Sequence, residues 1–394
     1  MNQVTIPLNL SPEKQYVMTS KETQRQILLT PGPLTTSASV KETMLRDWGS
    51  RDNAFIAITA DIRSRLLALA NASDTHSCAL VQGSGTFAVE ATLTTLLHRE
   101  DHHALLLING AYGRRIQKIC EIAGIKHSVY ETAEDTPPDT SVIRAKLQDD
   151  GNITHVVAVH CETTSGILNP LREIAEVTTA ENRKLIVDAM SSFGSLPIDL
   201  TMISAEAIIA SANKCLEGVP GMGFALIENA VLTNSKSNAS TLSLDLQDQI
   251  EYMDRTGQWR FTPPTHVVAA LGKALEEHAT EGGVKGRGKR YAENCQHLVD
   301  GLKNIGFELF LDENFQAPVI VTVRMPADPA FDFDRLYSLM NDEGIVLYPG
   351  AVTQEKSFRI GCIGQVYPED MQRTLEAIRQ ALSKMGVSKP GLTP

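Results

Sequence analysis

The chain has 394 residues, with 36 lysines and arginines against 47 aspartates and glutamates, a formal net charge of -11. That length accommodates a large domain plus a smaller one rather than one simple core. The acidic balance, without any basic block, argues against nucleic acid or an anionic membrane as a partner, while a few local arginines could still grip a small anionic substrate.

Residues 1–25 read as a polar N-terminal extension. Its opening, M-N-Q-V-T-I-P-L-N-L-S-P-E-K, has neither a basic start nor a long apolar core, so it is not a secretory signal. The turn-rich T-P-G-P at Thr30 to Pro33 then introduces a large domain expected over 26–270. Short apolar runs mark strands at Cys78 to Val81, Ala104 to Ile108, His155 to Val159, Lys184 to Val187, Ala207 to Ala210 and Gly223 to Ile227. Helical patterns lie between several of them; Val89, Leu93, Leu96 and Leu97 fall on one helix face. Continuously apolar short strands alternating with helices predict an α/β fold with a mainly parallel sheet covered on both faces.

Past about Ala270 the rhythm changes. A long helical stretch is followed by alternating runs at Phe307 to Leu311 and Pro318 to Val323, then a helix near Phe333 to Glu343. Strand signals at Ile345 to Tyr348 and Phe358 to Ile360 precede a last helix from about Pro368 to Met385. These predict a smaller α+β domain over 271–385 and a tail at 386–394. No apolar run reaches the roughly 18 residues of a membrane span. Cys78, Cys120, Cys161, Cys215, Cys295 and Cys362 occur singly, which reads as reduced packing cysteine of a cytoplasmic protein rather than a disulfide frame or zinc site. His102 and His103 are adjacent and cannot share a helix face, so no metal is expected.

The chemistry-bearing residues sit where strands end. V-Q-G-S-G-T-F at Val81 to Phe87 places two glycines and two hydroxyls just before a helix. Its amides, with Ser84 and Thr86, could cradle a phosphate; a capped strand-to-helix turn is the plainer reading. It matches neither the Walker sequence nor the dinucleotide fingerprint. Tyr112, in N-G-A-Y-G-R, follows the strand Ala104 to Ile108 and could stack on a planar ring or fill the core. H-C-E-T-T-S-G at His160 to Gly166 offers hydroxyls at another strand end.

Asp188 closes the run K-L-I-V at a strand's carboxyl end, where open α/β sheets place their ligands. An N-cap or surface acid is the alternative, although A-M-S-S-F-G after it carries no helix signal. Lys214, in S-A-N-K-C, follows the run Ala207 to Ala210. Most lysines are solvated, but Ala212, Cys215 and the turn G-V-P-G-M-G predict a cramped pocket that would lower its pKa. An acid at one strand end and a lysine at another are what pyridoxal phosphate requires: an amine for its aldehyde and an anion for its ring nitrogen. Arg359, in F-R-I-G-C-I-G, lies on an apolar strand of the small domain. It needs a partner there, either a bidentate anion or an internal salt bridge.

Taken in order, T-P-G-P, Q-G-S-G-T, N-G-A-Y-G, H-C-E-T-T-S-G, V-D-A-M-S-S-F-G, S-A-N-K-C, Q-W-R-F-T-P-P-T-H and F-R-I-G-C-I-G resemble the class V, fold-type I pyridoxal phosphate aminotransferases. The resemblance spans about Ile27 to Ala381. It implies pyridoxal 5'-phosphate as cofactor, carried by Lys214, with Asp188 paired to the pyridinium nitrogen. It also implies that Ser84, Gly85 and Thr86 bind the phosphate, that Tyr112 stacks on the ring, and that Thr163 and Asn213 touch the cofactor. Thr262 would reach the phosphate of the neighbouring subunit's cofactor, which makes the protein a homodimer with shared active sites. Arg359 would grip the acidic end of the substrate, with Pro31 and Gly32 lying against it.

Within the class, the match implies transamination of 2-aminoethylphosphonate with pyruvate to give phosphonoacetaldehyde and L-alanine. One departure stands out in D-W-G-S-R-D, where Arg51 replaces the Trp usual in relatives. A guanidinium there could strengthen phosphonate binding, select another anionic or hydroxylated substrate, or pair with Asp47 or Asp52. Two neighbouring reactions therefore stay open: a lyase acting on a hydroxylated aminophosphonate without pyruvate, and alanine–glyoxylate or serine–pyruvate transamination. From a different class, a non-catalytic phosphate-binding module is the remaining alternative.

Overall fold

A computed structural model of the chain describes residues 25–97, 100–234, 238–350, 355–387 and 390–391. The expected N-terminal extension lies outside the described residues except at Arg25, as do residues 388–389 and 392–394 of the expected tail. The central sheet contains β1 (His76–Gln82), β2 (Ala104–Ile108), β3 (His127–Glu131), β4 (His155–Val159), β5 (Lys184–Asp188), β6 (Ala207–Ser211) and β7 (Met222–Glu228). Their order across the sheet is β1-β7-β6-β5-β4-β2-β3. Neighbours pair parallel except at β7, which runs antiparallel to both β1 and β6. Only residues 212–221 connect β6 to β7, too few for a helical crossover, so β7 has to return antiparallel.

The apolar runs of β2, β4 and β6 are buried along their whole length. Alternate side chains enter two separate cores, because successive residues of a strand face opposite sides of the sheet. Leu105, Leu107, Val156 and Ala158 enter one; Leu106, Val157 and Ile209 enter the other. The second core is closed by α1 (Gly85–Leu96), through Val89, Leu93 and Leu96, and by α2 (Ala111–Ala123), through Ile116 and Ile119. Val268, Leu271 and Leu275 of α3 (Thr265–Thr280) pack into the first.

A smaller core follows, built on α4 (Gly283–Ile305), α5 (Phe333–Asp342), α6 (Pro368–Met385) and an antiparallel sheet of β8 (Ile320–Arg324), β9 (Tyr348–Pro349) and β10 (Ser357–Gly361). The order in this sheet is β8-β10-β9. Two expectations need correcting here. The run Phe307 to Leu311 is not a strand: it makes only an isolated bridge, Leu309 to Val323. Its apolar spacing is satisfied by two clusters instead, Phe307 in the small core and Phe310 with Leu311 against Ile167. The strand expected over Ile345 to Tyr348 is split. Ile345 and Val346 pair parallel with Ile27 and Leu28, while Tyr348 begins β9.

All six cysteines are unpaired and buried. Cys78 lies in the first core, Cys120 in the second, and Cys295 with Cys362 in the small one. Cys161 and Cys215 share a separate cluster with Leu34 and Tyr291. No described helix is long and apolar enough to cross a membrane.

Candidate active site

The carboxyl ends of the parallel strands deliver their loops to one edge of the sheet, where open α/β folds bind ligands. There a cavity of about 200 Å³ is lined by Gly32, Ser84, Gly85, Thr86, Tyr112, Asp188, Asn213 and Lys214, among others.

Ser84 is the N-cap of α1 and spends no side-chain bond on capping it. The first amides of a helix lack intrahelical partners, so this turn presents N–H groups and a hydroxyl together. Gly85 leaves room for Met190: a β-carbon there would crowd the methionine Sδ and Cε, and that side chain would have to shift. Thr86 Oγ1 accepts from Arg115 Nη1 at 3.2 Å, and the same guanidinium covers the Tyr112 ring at 4.8 Å.

Asp188, the last residue of β5, is 4% exposed. Burial pushes its carboxyl up to about 6, against the N–H of Met190, which donates to it at 2.9 Å. Lys214 borders the cavity, and its ammonium donates to the Pro31 carbonyl at 2.6 Å. Burial draws it down to about 8, opposed by the nearby Asp188 charge. The approach of Lys214 depends on Gly32, whose φ of +118° favours glycine and whose β-carbon would lie 2.7 Å from Lys214 Nζ.

Arg359, on β10, is 3% exposed. Its Nη1 donates to the Thr163 carbonyl at 2.7 Å and its Nη2 to the Pro349 carbonyl at 3.3 Å, while Nε is buried without a partner. Among the described residues it forms no ion pair, so the internal salt bridge is not what satisfies it. Burial lowers its pKa, and its charge in turn helps to depress Lys214.

Pro31, Thr163 and Arg359 are not in the lining of the Lys214 cavity, although the Pro31 carbonyl meets Lys214 and Arg359 meets Thr163; Thr262 and Arg51 lie apart. Thr262 is exposed and lines a second cavity with Gly83, Phe87, Trp259 and Phe261. Arg51 is exposed ahead of the helix Asn53–Leu69 and is absent from the lining of the Lys214 cavity. Among the described residues it pairs with neither Asp47 nor Asp52; Asp47 Oδ1 lies 3.5 Å from His266 Nε2.

Three contributors went unread in the sequence: Met190, Arg115 and Glu162. Glu162 is fully buried, and its carboxylate accepts from the Tyr112 N–H at 3.0 Å, the Gly113 N–H at 3.2 Å and the Thr164 N–H at 3.1 Å. It thereby anchors the start of α2, where the N-cap residue Gly110 has no side chain to do so. A lone acid inside a polar run at a buried strand end, followed by a helix that opens on glycine, was the available signal.

These residues fit pyridoxal phosphate. The cavity combines a depressed lysine, a buried acid and a helix-start cradle that a single β-carbon at Gly85 would crowd. Thr163 Oγ1 and Ser211 Oγ are buried nearby without protein partners, which leaves hydroxyls for the polar edge of a bound ring.

Comparison with known proteins gives a consistent picture. A profile of the family described as aminotransferase class-V matches residues 36–361. A 2-aminoethylphosphonate–pyruvate transaminase from Pseudomonas fluorescens is 53% identical over 361 residues, covering 92% of this chain and 98% of that protein. Another of the same name, from Pseudomonas putida, is 51% identical with the same coverage. Among solved structures, an alanine–glyoxylate aminotransferase from Nostoc sp. superposes with a TM-score of 0.86 over 96% of this chain and 100% of that one; at 24% identity the likeness is one of fold.

Proposed function

From the premise that the chain belongs to the class-V aminotransferases and is a pyridoxal phosphate enzyme, we propose that it transfers the amino group of 2-aminoethylphosphonate to pyruvate. The products are phosphonoacetaldehyde and L-alanine. The observation that carries the reading is Arg359, a buried guanidinium with an unpartnered Nε, close enough to depress Lys214. Such a group calls for an oxyanion ligand, and both substrates have one.

Lys214 would bond the cofactor's aldehyde, Asp188 its ring nitrogen, and the turn Ser84, Gly85 and Thr86 its phosphate. Tyr112 would cover the ring, with Thr163 and Asn213 at its polar edge. Pyridoxal phosphate, when bound, supplies an electron-accepting ring that spreads the charge left on carbon when a proton departs. With a pKa of about 6, Asp188 is ionised at neutral pH and keeps a proton on the ring nitrogen. Lys214, at about 8, loses and regains a proton readily in the same range, so it serves as base toward the amine-bearing carbon and later as acid. Whenever Lys214 is free of the cofactor, the Pro31 carbonyl gives its amine a partner. Arg359 orients first the phosphonate and then the carboxylate of pyruvate, and Gly32 leaves the lysine room to work.

No observation favours the lyase or the glyoxylate reaction over this one: Arg51 is exposed, and the relatives at 53% and 51% identity carry the name 2-aminoethylphosphonate–pyruvate transaminase. The protein acts as a homodimer: Thr262 shares its exposed cavity with Phe87 and Phe261, which are 49% and 50% exposed, and a second copy would cover these rings. A cytoplasmic location accords with the six unpaired thiols. The test is a spectrum of the cofactor-loaded protein mixed with 2-aminoethylphosphonate alone. Loss of the lysine-linked absorption, restored on adding pyruvate, is expected; an unchanged band would remove this substrate.

A further inference from the structure

Three residues beyond Lys214 the backbone turns left-handed at Glu217, with φ of +59°, which is uncommon for a residue other than glycine. The Glu217 N–H donates to the Lys214 carbonyl and the Gly218 N–H to the Ala212 carbonyl, both at 2.8 Å. Lys214 therefore sits inside a closed turn. What holds the turn is α4. Arg287 Nη1 donates to the Cys215 carbonyl at 2.6 Å. Glu217 Oε1 accepts from Arg290 Nη2 at 2.7 Å and from the Tyr291 hydroxyl at 2.5 Å. Glu281 balances the charge by accepting from both arginines.

Arg287 and Tyr291 are 0% exposed and Glu217 is 1% exposed. Buried ion pairs are costly, and apolar side chains of similar volume often stabilise a fold as well or better. The return for this network is geometry, and the geometry extends a second way. The Tyr291 hydroxyl accepts from the Gly364 N–H at 3.2 Å. Asn294 Nδ2 donates to the carbonyls of Cys362 and Val366, each at 3.0 Å. These groups belong to the segment leaving β10, the strand of Arg359. Two side chains thus lie between the turn that carries Lys214 and the chain that continues from Arg359: the Tyr291 hydroxyl, and the Arg290 guanidinium, whose Nη1 donates to the Val366 carbonyl at 3.1 Å.

We propose that Tyr291 is a positioning residue whose hydroxyl fixes the Lys214 turn against the exit of the Arg359 strand. The amine's backbone then stays in place while its side chain moves between cofactor and substrate. The inference rests on the reading of Lys214 as the cofactor-binding amine and Arg359 as the substrate anchor. Burial, reinforced by Glu217, pushes the Tyr291 phenol well above its ordinary range, so it remains a donor to that carboxylate.

Tyr291→Phe in the cofactor-loaded enzyme removes this oxygen and little else. The absorption of the lysine-bound cofactor is titrated against pH without substrate, and each half-reaction is then timed in a single turnover, with thermal unfolding measured alongside. The titration midpoint should move by about half a unit or more, and both half-reactions should slow by about tenfold. A variant that melts earlier but keeps the wild-type midpoint and rates overturns the inference, because the hydroxyl would then support only the fold. Glu217→Gln keeps an acceptor for the phenol while removing the charge, and should show the same two changes to a smaller extent; wild-type behaviour there also counts against the inference. A mistaken substrate would show differently, as a wild-type band that 2-aminoethylphosphonate leaves unchanged.

Discussion

Replacing Lys214 with methionine should make the cofactor-free protein more stable while ending catalysis. Burial draws the amine from 10.5 to about 8. Near neutral pH, folded and unfolded chains both carry the proton, but the folded one holds it in an unfavourable place. The gap, at about 1.4 kcal/mol per unit, amounts to roughly 3 kcal/mol. Methionine is one atom shorter and packs as an apolar chain, but it abandons the bond to the Pro31 carbonyl, worth about 1 kcal/mol. A net gain of about 2 kcal/mol at neutral pH follows.

The sign has a second consequence. Between about 8 and 10.5 the unfolded chain binds more protons at Lys214 than the folded chain does, so wild-type stability rises with pH across that window. The advantage of the methionine variant should shrink over the same range. Asp188, raised from 3.8 to about 6, acts oppositely: the folded chain binds the extra proton there, and stability falls as pH rises between those values. Urea unfolding of the two cofactor-free proteins, from below the ordinary aspartate value to above the ordinary lysine value, reads both effects. Equal stability at neutral pH, with parallel pH profiles above it, would refute the claim that the fold holds this ammonium at a cost.

Lys214→Ala should show no turnover and no lysine-linked absorption band, with only weak cofactor retention on dialysis; normal turnover would dismiss the assignment. Arg359→Ala should lower kcat/KM for 2-aminoethylphosphonate by about a hundredfold, the loss of two charge-assisted hydrogen bonds, and Arg359→Lys should recover only part of it. Gly85→Val should weaken cofactor binding by about tenfold as its side chain meets Met190. Equilibrium dialysis of that variant, with and without Met190→Ala, would show whether relieving the crowding restores affinity.

Asp188 and Lys214 are legible in the sequence because each follows an apolar run that becomes a strand, and a parallel sheet sends all such ends to one edge. The cradle at Ser84 is legible for the same local reason. The direction of β7 is not carried by its residues, which read like those of any buried strand; only the short link from β6 to β7 encodes it. Glu162 and Arg115 act across the fold, through amides at the start of α2 and the Thr86 hydroxyl at the start of α1. The polar run around Glu162 is its one local sign, and Arg115 has none. The splitting of Ile345 to Tyr348 is likewise long-range, since half of that run pairs with residues 27–28 from the far end of the chain.

The distribution of the six buried thiols makes the chain its own set of reporters. Cys78 and Cys120 lie on opposite faces of the large sheet, Cys161 and Cys215 belong to the cluster shared with Tyr291, and Cys295 and Cys362 lie in the smaller core. None should react quickly with an alkylating reagent until its own layer opens. Pulsed alkylation followed by peptide mass analysis would therefore reveal the order in which the layers come apart, and whether bound cofactor slows one layer or all of them, in a protein with no added label.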